Sequence, residues 1–247
     1  MNSNLNPHVS VDCVVFGFDS EQLKVLLVER KIISKNHKTI VSSDLKLPGD
    51  LVQNNENLDT SATRVLKELT GLDNIYLKQF NSFGDPQRIS NPKDLNWLIT
   101  TSNLPIKRVV TVAYYSLVKI DQSNINPSSD EYNYNWYNVD EIPNLAFDHN
   151  NILEKGLEAL RYKIRTEPIG FELLPKKFTK NQLQKVYEEI LGVKLDNRNF
   201  RKKIANLKYI VPLNEKQKGV AHKPAELYKF DKKIYLKNRK ESLGFLM

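Results

Sequence analysis

In the first half of the chain apolar residues come in short dense runs, and in the second half they recur at helical spacing. Val9–Phe18 and Leu23–Arg30 are rich in β-branched and aromatic residues and are joined by a short Asp/Ser turn, which predicts a hairpin. Ile32–Leu45 is polar and reads as an insertion. Ile75–Phe83 and Arg108–Ile120 predict further strands, separated by a long polar connection, Asp85–Pro105, that holds Pro86, Pro92 and Pro105. Asn135–Val139 predicts one more short strand. From about Asn150 the period changes: Leu153, Leu157, Leu160 and Ile164 keep one face apolar, as a helix requires. Thr166–Pro175, with Pro168, Gly170 and Pro175, marks a boundary between units of residues 1–165 and 166–247.

Beyond that boundary Phe178–Leu191 is amphipathic, with Thr179 as a fair N-cap and Gly192 as its end. After a short turn Asp196 can cap a second helix, NRNFRKKIANL, whose Phe200, Ile204 and Leu207 face inward. Arg198, Lys202 and Asn206 then point the opposite way, flanked by Asn199 and Arg201. Arg and Asn can make bidentate contacts to guanine and adenine edges, so this pair of helices reads as a helix-turn-helix with its recognition helix second. Tyr209–Leu213 and Glu226–Phe230 predict two short strands around a basic loop, a wing. Lys216, Lys218, His222 and Lys223 would lie near phosphates there, positioning the unit without reading sequence.

The richest motif lies between the early strands. Residues 48–72 read PGDLVQNNENLDTSATRVLKELTGL. They resemble the Nudix box, G-x5-E-x7-R-E-U-x-E-E-x-G-U, with U a bulky aliphatic. Asp50 falls on the first Gly, Glu56 on the first Glu, Arg64 on the Arg, Leu66 on U, Glu68 on one of the Glu pair and Gly71 on the last Gly. The resemblance implies that Glu56 and Arg64 brace the loop on the helix. The family's metal ligands share one helix face at i, i+3 and i+4, here Val65, Glu68 and Leu69. Carboxylates at those positions hold Mg²⁺ and activate water, but two of the three are aliphatic. Leu58, Ala62, Val65, Leu69 and Leu72 instead form an apolar row at helical spacing. The box is therefore expected to keep its scaffold (Glu56, Arg64, Glu68) without catalytic residues or a metal site.

Charge sharpens the division. Residues 151–247 carry 23 Lys+Arg and 11 Asp+Glu, whereas the whole chain has 37 and 29. An acidic front and a basic back point to a polyanionic partner for the second unit. No run of about 18 apolar residues suggests a membrane span, and MNSNLNPHVSVD lacks the pattern of a signal peptide, so a cytoplasmic location is expected. Cys13 is the only cysteine and sits in an apolar run, as a core thiol would. His8, His37, His149 and His222 form no zinc pattern.

Taken whole, the chain resembles the Nudix-related transcriptional regulators, which fuse a degenerate Nudix domain to a winged helix. LAFDH, the run FELLPKKFTKNQLQKVYEEILGVKLDNRNFRKKI and the later KPAELYKF carry the likeness. Its nearest kind is the Bacteroidetes sugar-utilisation regulator, of which the arabinose regulator is best known, rather than the NAD-metabolism repressors. The resemblance implies an α/β fold, a Nudix α/β/α sandwich followed by a C-terminal winged helix-turn-helix. It also implies a homodimer, operator double-stranded DNA as partner, no cofactor, and a small-molecule effector, a sugar such as arabinose or ADP-ribose. Asp85, Arg88, Arg108 and Asp148, polar residues near strand ends, are the candidates to hold that effector. Two other functions stay open: a working Mg²⁺-dependent hydrolase of a nucleoside diphosphate sugar such as ADP-ribose, and an RNA-binding module using the basic tail.

Overall fold

The computed structural model describes residues 4–33, 40–120, 133–221 and 223–238. The chain divides into two compact units, residues 1–17 with 24–158 and residues 18–23 with 159–247.

The first unit is built on strands β1 (Leu5–Phe18), β2 (Leu23–Ile33), β3 (Ile40–Lys46), β4 (Gly49–Gln53), β5 (Lys78–Phe83), β6 (Val110–Lys119) and β7 (Tyr134–Asn138). Their order is β3-β2-β1-β6-β5, with β4 on β1 and β7 on β2. Helices α1 (Leu58–Thr70), α2 (Pro92–Ser102) and α3 (His149–Thr166) complete the unit, and α3 continues into the second. From Cys13 to Phe18 β1 is a continuous apolar run because both its faces are covered there. Val11, Cys13 and Val15 pack with Ala62, Val65 and Leu66 of α1. Val14, on the alternate face, meets Gly156 of α3, where an added Cβ would stand 3.2 Å from Val14 Cγ2. Period-2 alternation thus puts α1 and α3 on opposite faces of one strand.

Two expectations are corrected here. The described residues of the polar stretch Ile32–Leu45 are strand: β2 runs on to Ile33, and β3 pairs with it antiparallel from Val28↔Lys46 to Ile33↔Ile40. Ladder hydrogen bonds to a long neighbour offset its weak apolar content. The connection Asp85–Pro105 contains α2, whose start and stop are local. The Asn91 side chain accepts from Lys93 N–H, Pro92 opens the helix, and Asn103 ends it in the left-handed conformation at φ 55°. Leu95 and Leu98 pack it onto Leu51, Ile89, Ile106 and Val109.

The second unit holds α4 (Lys180–Leu191), α5 (Asn197–Ala205), β8 (Ile210–Lys216), β9 (Glu226–Phe230) and α6 (Lys232–Asn238). α4 begins with a capping box between Thr179 and Gln182 and ends at Gly192, φ 69°. Thr179 is the N-cap, as expected, and Phe178 just before it exchanges backbone hydrogen bonds with Tyr228 of β9, because the cap fixes extended backbone there. Phe171, Tyr209, Phe230 and Tyr235 form the aromatic core, with Phe171 and Phe230 stacked at 4.5 Å.

Candidate effector cleft and nucleic-acid interface

The box keeps its brace. Arg64 sits on α1 and reaches back to the loop: its guanidinium pairs with Glu56 at 2.7 Å and donates to the Leu51 carbonyl at 3.1 Å. Glu56 also accepts from Gln53 N–H at 2.7 Å. Hydrogen bonding from Arg64 holds the Glu56 carboxyl below its ordinary range, and Glu56 raises Arg64 in turn. Glu68 points outward and pairs with Arg64 Nη1 at 3.0 Å. Val65 is fully buried and Leu69 packs on the same core. Among the described residues no group of three His, Cys, Asp or Glu side chains could hold a metal ion. Cys13 is buried, and burial pushes its thiol up, away from nucleophilic thiolate.

Beside the box lies a small cleft with a cavity volume of about 40 Å³. β1 supplies Ser10 and Asp12, β3 Lys46, β4 Gly49 to Leu51, the segment before α2 Arg88 and Ile89, and α2 Trp97 and Leu98, while Phe147 and His149 come from the entry to α3. Gly49 is required where β4 crosses β1, since a Cβ there would stand 1.8 Å from Asp12 Oδ1. The steric demand falls on Gly49, one residue before the position aligned with the box glycine.

Asp12, Lys46 and Arg88 bury their charges in the cleft. Asp12 accepts from Thr111 Oγ1 at 2.7 Å and faces His149 Nε2 at 3.4 Å and Arg88 Nη2 at 3.6 Å. Arg88 makes a bidentate pair with Asp148 at 3.1 and 2.9 Å. Lys46 Nζ donates to the Gly49 carbonyl at 2.7 Å, and burial lowers its pKa. Leu47 N–H donates to His149 Nδ1 at 2.9 Å. That bond fixes Nδ1 as acceptor, and burial pushes the imidazole pKa down to about 4, so His149 is neutral with its proton on Nε2. Behind the cleft Arg30, 1 % exposed, is held by Asp44 and Asp94 and lies over the Trp97 and Phe147 rings. Phe147 itself sits at φ 59°, an unusual conformation for an aromatic residue, and its N–H donates to Asp94.

Of the four effector candidates, Arg88 lines the cleft and Asp148 is its ion-pair partner. Asp85 is exposed and closes a local turn, with its carboxylate accepting from Gln87 N–H and its carbonyl from Arg88 N–H. Arg108 is exposed and donates to the Gly84 carbonyl at 3.0 Å. Neither Asp85 nor Arg108 lines the cleft. Asp12, Lys46 and His149 were missed, although a charged residue inside an apolar run (Asp12 in VSVDCVVFGF, Lys46 in LKLP) is itself a signal.

In the second unit the turn between α4 and α5 is locked by Glu188, whose carbonyl accepts from Gly192 N–H and whose carboxylate accepts from Leu195 N–H. Asp196 caps α5 by accepting from Asn199 N–H. Phe200 and Ile204 are buried, which leaves Arg198, Asn199, Arg201, Lys202 and Asn206 exposed, with Asn206 as the C-cap. Lys216 at the end of β8, Lys218 and Lys223 are exposed on the wing, and His222 lies outside the described residues.

The comparisons agree with both halves. The NUDIX domain model matches residues 6–159, and a model described as the NrtR DNA-binding winged helix domain matches residues 170–230. The "ADPR responsive transcriptional repressor" of Acinetobacter baylyi is 31% identical over 231 residues, covering 91% of this chain and 82% of that protein. The structure of Shewanella oneidensis NrtR complexed with a 27mer DNA is 26% identical, with a TM-score of 0.66, and covers 96% of this chain and 97% of that one. A MutT/nudix family protein from Enterococcus faecalis is 25% identical, with a TM-score of 0.59, over 92% of this chain and 88% of that one.

Proposed function

Because the chain belongs to the Nudix family, in its NrtR-type form with a C-terminal DNA-binding winged helix, we propose that it is a ligand-responsive transcriptional repressor. In this reading residues 1–165 sense the effector and residues 166–247 bind operator DNA, as a homodimer in the cytoplasm. The observation that carries it is the fate of the box helix. Val65 and Leu69 occupy two metal-ligand positions as core residues, while the polar cleft beside the box persists. A site that can hold a ligand but lacks the carboxylates to activate water is suited to sensing. Arg198, Asn199, Lys202 and Asn206 would read the major groove, and Lys216 and Lys218 would contact phosphates.

ADP-ribose is the effector we favour over a free pentose such as arabinose, because the Acinetobacter relative is described as ADPR responsive. A second reading, a free pentose, is favoured by one observation. The cleft is small, and its polar side chains are drawn tightly together, as hydroxyl recognition requires.

A thermal-shift series with ADP-ribose, arabinose and xylose separates the two. The true effector at 100 times its Kd adds about 2.7 kcal/mol of stability, and the same compound should release the protein from DNA. If ADP-ribose leaves the melting temperature unmoved and a pentose raises it, the second reading replaces the first. Mg²⁺-dependent cleavage of ADP-ribose at about 1 s⁻¹ or faster would instead make the chain a hydrolase.

A further inference from the structure

We propose that an open groove in the second unit, between the start of α4, the middle of α5 and β9, is a phosphate-backbone site for double-stranded DNA, and that Arg201 serves it instead of reading base edges. This rests on the DNA-binding reading above, adds Lys180 to it and gives Arg201 a backbone role. The groove has a volume of about 410 Å³ and is lined by Lys180, Asn181, Arg201, Lys223, Glu226 and Tyr228, among others. The α5 helix places Arg201 on the flank of the exposed face that carries Arg198 and Lys202, and its Nη2 donates to Asn181 Oδ1 of α4 at 3.1 Å. That bond ties the guanidinium to the groove and leaves most of its five N–H donors for a ligand. Lys180 Nζ lies 4.9 Å over the Tyr228 ring, which holds the ammonium in place.

Three cations from three separate segments therefore converge on one concavity. Among the described residues none of the three has a salt-bridge partner. The one carboxylate in the lining, Glu226 at the start of β9, is engaged by Tyr228, accepting from its Oη at 2.8 Å. A planar guanidinium fork beside an ammonium matches the two free oxygens of a phosphodiester. Base edges, in contrast, need a side chain free to extend from the recognition helix into the major groove.

The test uses the full chain and two probes, an unselected random-sequence duplex pool and the duplexes that the wild-type protein enriches from it. Binding is followed by fluorescence anisotropy as a function of salt. Replacing both Lys180 and Arg201 (Lys180→Ala with Arg201→Gln) should weaken binding to both probes by the same factor. It should also lower the slope of log affinity against log salt by about 2, close to one for each phosphate no longer neutralised. Arg201→Lys, which keeps the charge, should restore most of the slope, whereas Arg198→Ala should mainly erode the preference for the enriched duplexes. An unchanged slope in the double variant would overturn the assignment. So would a selective loss of the enriched probe, which would make Arg201 a base reader, or tighter binding to hairpin RNA than to duplex. If no sequence is enriched, the repressor reading fails, while the slope on the unselected pool still decides on the groove.

Discussion

Protonation of His149 offers a test of the cleft geometry. The imidazole is 2 % exposed, accepts from Leu47 N–H at Nδ1 and is neutral, with its pKa pushed from 6.5 down to about 4. In the unfolded chain the same group protonates near its ordinary value. Between about pH 6.5 and 4 the unfolded state therefore binds the extra proton, and folding stability falls as the pH is lowered. The contribution is whole above pH 6.5 and is lost progressively on acidification until the folded group itself titrates. At 1.36 kcal/mol per pH unit, the loss between pH 6.5 and 5 is about 2 kcal/mol. Both tryptophans, Trp97 and Trp136, lie in the first unit, so urea unfolding followed by tryptophan fluorescence reports on it directly. His149→Gln keeps an acceptor for Leu47 N–H and cannot protonate. Glu56 and Asp44, whose pKa values are lowered, act below the usual carboxylate range and are common to both proteins. The wild type should lose about 2 kcal/mol more than the variant over this window. Parallel stability curves would refute the buried neutral imidazole.

Other perturbations test the box and the recognition helix. Val65→Glu places a carboxylate at a fully buried position. It should destabilise the first unit by about 3 kcal/mol or more in urea unfolding, and assays with Mg²⁺ and ADP-ribose should show no restored cleavage. Arg64→Met leaves Glu56, with a side chain 7% exposed, without its cation, and should cost about 2–3 kcal/mol by the same measurement. Gly49→Ala forces β4 off Asp12, so it should lower both stability and effector affinity, read by thermal shift. Arg198→Ala with Lys202→Ala should abolish binding to the enriched DNA in gel shift while leaving the melting temperature unchanged, since both side chains are exposed.

Local signals explain which parts of this fold were legible. The β1–β2 hairpin, the box helix and α4 followed by α5 each announce themselves within about 15 residues, through period, cap and glycine. α2 carried such signals too, in Asn91-Pro92 and a left-handed Asn103, but its apolar residues pack on a small side cluster and make a weak period. β3 was hidden because its strand identity comes from pairing with β2, not from its own composition. The cleft was the least legible part. Asp12 meets His149 and Thr111, and Leu47 meets His149, across about a hundred residues of chain. Arg88 and Asp148 could be nominated as polar residues near strand ends, yet nothing in their spacing indicates that they pair.

The distribution of charge within the first unit shows what has changed relative to a metal-dependent box. In such a box the face of the helix is kept polar, at the expense of packing, so that cations can bind. Here that face is closed: Val65 is fully buried and Leu69 joins the same core. Side chains of this size contribute roughly 1.5–3 kcal/mol each when fully buried. The one acidic residue left on the helix face, Glu68, is neutralised by Arg64. Buried charge lies instead around the cleft, where Asp12 faces Arg88 and the neutral His149, Arg88 pairs with Asp148, and Lys46 donates to the Gly49 carbonyl. Burying such groups costs several kcal/mol per ion before pairing, and the apolar alternative was available, as the helix face itself demonstrates. The helix face is thus closed by apolar packing, whereas the cleft holds buried charge that is hydrogen-bonded and paired. In the reading proposed above, the cleft keeps ligand recognition without water activation on the helix, and the DNA-binding winged helix gives that recognition a use.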